Sequence, residues 1–183
     1  MTVVYAKRLN LPQSILFRPS RRFLSAAGRE LLRYAAKMEY GIDVSHYPEK
    51  RTPRGKPYLD GVPFCFNLSH SGDYVVCALS DTAVGVDIEK IVPISLKVMR
   101  RFFSLDALSP IEQMRLWTRY ESYGKMVGIG IPYPKGSEGP CFYKEYRAID
   151  RYMITVSSEV DEFLDHIILV DDDAFRLTPP DEE

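Results

Sequence analysis

The sequence predicts an α+β fold built on antiparallel sheet, and three observations predict it. A stretch with helical apolar spacing follows one short β-rich run. Three more β-rich runs then succeed one another with only turns between them, and a second helical stretch, opened by a capping box, precedes the last strands. Strands that follow one another, instead of alternating with helices, favour antiparallel pairing over βαβ crossovers. The 183 residues are 45 % apolar, enough for one compact core. A midpoint near Lys90 divides the chain into two α+β halves of similar composition, 1–90 and 91–183.

In chain order, Val3 to Lys7 reads as a first strand, and Arg18 to Arg22 as a basic, Pro-containing loop. From Ser25 to about Tyr40, Ala27, Leu31, Ala35 and Met38 recur at helical spacing, and Gly41 ends the helix. Residues 47–61, with three prolines and two glycines, read as a loop. Phe64 to Leu68, Tyr74 to Leu79 and Ala83 to Ile88, separated by SHSGD and SDT, read as a three-stranded antiparallel meander that Pro93 ends. Leu96 to Phe103 is a short helix. Ser109-Pro110-Ile111-Glu112 caps a longer one that runs to about Val127, before Gly128 and Gly130. Residues 132–140 form a second Pro/Gly loop. Cys141 to Ser157 reads as two strands with a turn near Asp150, His166 to Val170 as a last strand, and the acidic tail as frayed.

Four clusters can carry chemistry. Asp87 and Glu89 alternate with Val86 and Ile88, so on a strand the carboxylates share one face, about 7 Å apart. That suits a hard cation wanting oxygen ligands; the solvent-facing side of a half-buried strand would explain the same pair. Met114, Trp117, Glu121 and Lys125 share one helix face. Glu121 there is either the i,i+4 ion-pair partner of Lys125 or a third metal ligand. Asn67 to Gly72 places hydroxyls, backbone N–H groups and His70 in a tight turn suited to phosphate. Arg54 to Tyr58 fixes a loop that offers Lys56 to an anion, although it lacks the features of a P-loop.

Charge and cysteine usage bound the rest. A net charge of −1 with 27 % charged residues describes an ordinary soluble protein. Residues 1–60 carry twelve Lys or Arg against five Asp or Glu, so the first third either faces an anion or is simply a solvated basic surface. Three scattered cysteines without CxxC spacing argue against a disulfide framework or a zinc site. No stretch has transmembrane length and the opening residues do not read as a signal peptide, so the expected location is cytoplasmic, with no membrane partner.

In order, RGKPYL (54–59), FNLSHSGDYVVCALS (66–80), VGVDIEK (84–90), RRFFS (100–104) and LWTRYESYGKMVGIGI (116–131) resemble the surfactin-type 4′-phosphopantetheinyl transferases, over about Arg18 to Val156. The resemblance implies two pseudo-symmetric halves, each a small antiparallel sheet with a packed helix, and a site between them. It implies a Mg²⁺-dependent enzyme of the holo-[acyl-carrier-protein] synthase type. Such an enzyme moves phosphopantetheine from coenzyme A to a serine of an apo acyl or peptidyl carrier protein. It is expected to be a monomer that binds no nucleic acid. By position, Asp87, Glu89 and Glu121 become metal ligands, and Glu121 and Lys125 the catalytic pair. Lys56, Ser69, His70 and Lys125 become contacts to coenzyme A phosphates, with Arg21 and Arg22 near its 3′-phosphate and Ser25 near the nucleotide. Two positions depart from the family pattern: Tyr120 stands where Lys usually precedes the helical Glu, and Ala107 where Glu usually follows FFS. These departures leave room for a relative that binds coenzyme A or a carrier without transferring. A metal-dependent nuclease or phosphoesterase would explain the carboxylates but not the SHS and GKP loops.

Overall fold

The structure, a computed structural model, describes residues 1–11, 19–103, 108–133 and 139–171. Arg18, Ala107, residues 134–138 of the second Pro/Gly loop and the acidic tail beyond Asp171 lie outside the described residues. The elements are β1 (Val3–Arg8), α1 (Arg21–Tyr40), β2 (Glu49–Arg51), β3 (Pro57–Leu59), β4 (Cys65–Ser71), β5 (Tyr74–Ser80), β6 (Val84–Lys90), α2 (Leu96–Phe103), α3 (Pro110–Val127), β7 (Phe142–Tyr146), β8 (Tyr152–Ser158) and β9 (Ile168–Val170).

The fold is α+β, in four layers. Alternation along the strands sorts the core. Val3 and Tyr5 of β1, with Val75, Cys77 and Leu79 of β5, pack under Leu31, Leu32, Ala35 and Ala36 of α1. Val4 and Ala6, with Val76 and Ala78, point the other way and meet Val84, Val86, Ile88, Ile154 and Val156. The first sheet has the order β4-β5-β1-β9, the second β6-β8-β7, and α3 lies on the outer face of the second. Among the described strands all pairings are antiparallel except β1 with β9.

Three expectations are corrected. The helix α1 starts four residues earlier than its apolar period, so Arg21 and Arg22 are helical: the Ser20 hydroxyl accepts the Phe23 N–H at 3.1 Å and supplies the N-cap. Residues 47–61 are not all loop. The three-residue strands β2 and β3 pair as a hairpin, turned where the Gly55 N–H donates to the Thr52 carbonyl. Strands this short leave no readable period. The meander does not form either. β4 and β5 are a hairpin, but β6 leaves that sheet and pairs with β8, from Val84 opposite Ser158 to Lys90 opposite Tyr152. Neither sheet is confined to one side of Lys90, since β6 joins the second and β9 the first.

Side chains take the place of a ladder between β4 and β6. The N–H groups of Val86, Ile88 and Lys90 donate to Asn67 Oδ1 (2.9 Å), Ser69 Oγ (3.4 Å) and Ser71 Oγ (3.3 Å). Alternate residues of one edge strand thus satisfy alternate amides of the other, which would otherwise be orphaned donors. On its opposite face β6 is crossed closely by α3. A Cβ at Gly85 would stand 2.0 Å from the Ser122 carbonyl oxygen and 2.4 Å from the Met126 nitrogen. Buried hydroxyl pairs, Thr118 with Thr155 and Ser122 with Ser157, each at 2.7 Å, complete that contact.

Candidate metal and phosphate site

The close packing of α3 on β6 brings Glu121 and Lys125 over Asp87 and Glu89. One oxygen from each of the three carboxylates lies within 4.8 Å of the others. Asp87 is 1 % exposed. Lys125 Nζ stands 2.5 Å from Asp87 Oδ1 and 3.8 Å from Glu121 Oε2, and donates to Ser69 Oγ at 2.9 Å. The i,i+4 pair with Glu121 therefore exists, but it is the long arm of a contact centred on Asp87. Ser69 Oγ donates to Asp87 Oδ1 at 3.0 Å, and Ser71 Oγ to Glu89 Oε2 at 2.8 Å.

Three negative groups this close disfavour one another's ionisation. Burial, then the charges of Asp87 and Glu89, push Glu121 up to about 7 against the pull of Lys125 and an indole hydrogen bond from Trp117. Burial and Asp87 likewise raise Glu89. Burial raises Asp87 too, and the Lys125 ammonium and Ser69 hydroxyl offset it only in part. Asp87 Oδ2 is buried with no hydrogen-bond partner among the described residues. A buried carboxylate oxygen without a donor, on a residue clustered with two more carboxylates, is what a hard divalent cation would satisfy. The residues fit a Mg²⁺ ion.

His70 is exposed beside this cluster; partial burial and the Lys125 charge hold its imidazole below the ordinary histidine value. It therefore offers one N–H at neutral pH rather than a cation. Lys56 is differently placed. Its ammonium donates to the carbonyls of Val84 (3.0 Å) and Met126 (2.7 Å), clasping the start of β6 to the end of α3. Arg21, Arg22 and Ser25 are exposed on the first turns of α1, and no described hydrogen bond links them to the carboxylates.

Asn67 and Ser71, expected in a tight phosphate-binding turn, instead lie on strand β4 and belong to the β4–β6 seam, whose sequence signal is the alternation N-x-S-x-S. Gly85 gave none, because a close approach leaves no local pattern. Tyr120 points inward: its hydroxyl donates to the Tyr133 carbonyl (2.8 Å) and accepts the Tyr133 N–H (2.7 Å), while the rings stack at 4.1 Å. It thus secures the segment after α3, a task that a charged side chain could not perform in an apolar stack.

Residues 17–82 match a family model described as "4′-phosphopantetheinyl transferase, N-terminal". The chain is 32 % identical to a 4′-phosphopantetheinyl transferase of Bacillus subtilis, over 76 % of this chain and 75 % of that one. It is 31 % identical to the 4′-phosphopantetheinyl transferase psf-1 of Bacillus pumilus, over 76 % and 72 %. It is also 31 % identical to the mouse L-aminoadipate-semialdehyde dehydrogenase-phosphopantetheinyl transferase, over 57 % of this chain and 42 % of that protein.

Proposed function

We propose, because this chain belongs to the 4′-phosphopantetheinyl transferase family, that it transfers phosphopantetheine from coenzyme A to a serine of an apo acyl or peptidyl carrier protein. The single observation that carries the catalytic assignment is the clustering of Asp87, Glu89 and Glu121, with Asp87 Oδ2 buried and unpartnered among the described residues. These three would hold Mg²⁺, which when bound supplies positive charge to the pyrophosphate of coenzyme A.

The chain's own residues do the rest. Lys125 and His70 stand beside the carboxylates and offer N–H donors to the phosphates, Lys125 with a fixed positive charge. Glu121 accepts the proton as the carrier serine oxygen attacks the β-phosphorus. The new bond joins that oxygen to phosphorus, and the bond to 3′,5′-adenosine bisphosphate breaks. Arg21, Arg22 and Ser25, exposed on α1, are assigned to the nucleotide end, where the basic first third of the chain complements an anion. The finer type, holo-[acyl-carrier-protein] synthase, along with cytoplasmic location and a monomeric state, belongs to the same proposal. No described helix is long and apolar enough to cross a membrane.

Incubation with coenzyme A, Mg²⁺ and a panel of apo carrier proteins tests this by intact-mass spectrometry. The expected result is one added phosphopantetheine on the carrier serine, lost when Mg²⁺ is chelated. Coenzyme A binding with no modified carrier would overturn the catalytic reading.

A further inference from the structure

The carboxylates on β6 are gripped from the other sheet. Ser69 and Ser71 lie on the β4 edge, Asp87 and Glu89 on the β6 edge, and the pairs share one sequence offset of 18 residues. The amides that these serines accept, Ile88 and Lys90, lie at the next offset, 19, and Asn67 with Val86 continues the series. Each serine hydroxyl therefore has both roles filled. Its oxygen takes a backbone N–H, which directs its single proton to the neighbouring carboxylate. The two hydroxyls cannot swing away without orphaning an amide.

We infer that Ser69 and Ser71 are positioning residues: held to β6 by its backbone amides, each aims one carboxylate, Asp87 or Glu89, at a shared cation by a direct hydrogen bond. The inference rests on the proposed metal site and adds to it a cause for its shape. Ser71 is the cleaner case, because among the described residues its hydroxyl serves only Glu89 and the Lys90 amide, whereas Ser69 Oγ also receives Lys125. A carboxylate on a strand edge samples several rotamers unless something holds it. A hydroxyl donating at 2.8 Å selects one of them and leaves the second oxygen, Oε1, for the ion. Outer hydrogen bonds of this kind set ligand geometry in metal sites generally.

The test uses the full chain and Mg²⁺ itself, titrated by calorimetry with coenzyme A present, for wild type, Ser71→Ala, Ser71→Thr, Glu89→Gln and the double variant Ser71→Ala/Glu89→Gln. Ser71→Ala is expected to weaken Mg²⁺ binding about ten-fold or more, the usual scale for loss of such a partner. Ser71→Thr, which keeps the hydroxyl, should restore it. In the Glu89→Gln background the alanine should cost almost nothing further, because its effect passes through Glu89. Melting curves of metal-free protein, taken through the same cycle, give a second measure of the coupling. Mg²⁺ affinity unchanged in Ser71→Ala, or a loss that is fully additive with Glu89→Gln, would overturn the inference. A wild-type chain that binds coenzyme A but no Mg²⁺ would instead overturn the metal reading, and the inference with it.

Discussion

At Glu121 two demands meet that one substitution can separate. As the proposed proton acceptor it needs its charge and basicity; as the third carboxylate of a crowded cluster it resists ionisation and is pushed up to about 7. Glu121→Gln is therefore expected to lower single-turnover transfer about 10²-fold or more, the scale of a lost general base, while coenzyme A still binds. The sign of its pH effect also follows. A carboxylate whose folded pKa lies above its ordinary 4.5 contributes stability that is present in acid and lost as pH rises through about 7. In chelator, the melting temperature of the wild type should fall between pH 5 and pH 8, and Glu121→Gln should flatten that slope. A variant with a normal rate and an unchanged slope would leave Glu121 only its ion pair with Lys125. Gly85 is the opposite kind of residue, important for what it lacks. Because the obstructing atoms are backbone, Gly85→Ala must lift α3 from β6. Overpacking of this kind costs about 1–3 kcal/mol or more, and the melting curve should show it along with weaker Mg²⁺ binding.

Among the elements, α3 was the most legible and its contacts the least. Ser109, Pro110 and Glu112 announce its start, Gly128 its end, and the structure has the capping box and an αL residue at those places. The spacing of Trp117, Glu121 and Lys125 also showed which face carries the charges. Nothing local revealed that Thr118 and Ser122 form the face that meets the sheet, since two hydroxyls at helical spacing look like a solvated stripe. Lys56, a lysine in a Gly-Pro loop, suggests an anion contact; its ammonium also closes on two main-chain carbonyls, one of them at the negative end of α3, a structural task that leaves one N–H for a phosphate. Lys56→Met, which keeps the apolar stem, is expected to lower stability by about 2 kcal/mol, the scale of a charge-assisted hydrogen bond. Coenzyme A affinity, measured well below the melting point, should change less than in His70→Ala. A stable Lys56→Met with collapsed affinity would return Lys56 to the phosphates.

For the whole molecule, strand order was the part the sequence hid. The run of β4, β5 and β6 is correct strand by strand, but alternating apolar residues do not say which neighbour a strand will choose. β6 is buried against both sheets and α3, so either partner would satisfy its pattern. The site lies where that choice was made, at the seam of β4 and β6 under α3, which explains how its residue types were readable while their grip was not. A bound cation should brace all three elements at once. At pH 8, Mg²⁺ at a hundred times its Kd is expected to add about 2.7 kcal/mol of stability, about 5–10 °C in melting temperature for a chain of this size. Calorimetric melts with and without chelator measure it. The parallel pairing of β9 with β1 matters in a different setting, the ribosome. β1 is synthesised well before β9, yet one of its two flanks is covered, among the described strands, by Ile168–Val170 alone. β5 can cover the other flank early, so between the synthesis of β5 and that of β9 the nascent chain carries a paired sheet with one bare edge. Such an edge invites a strand from a neighbouring chain, and a trigger for aggregation in cells would lie there, far from the catalytic groups.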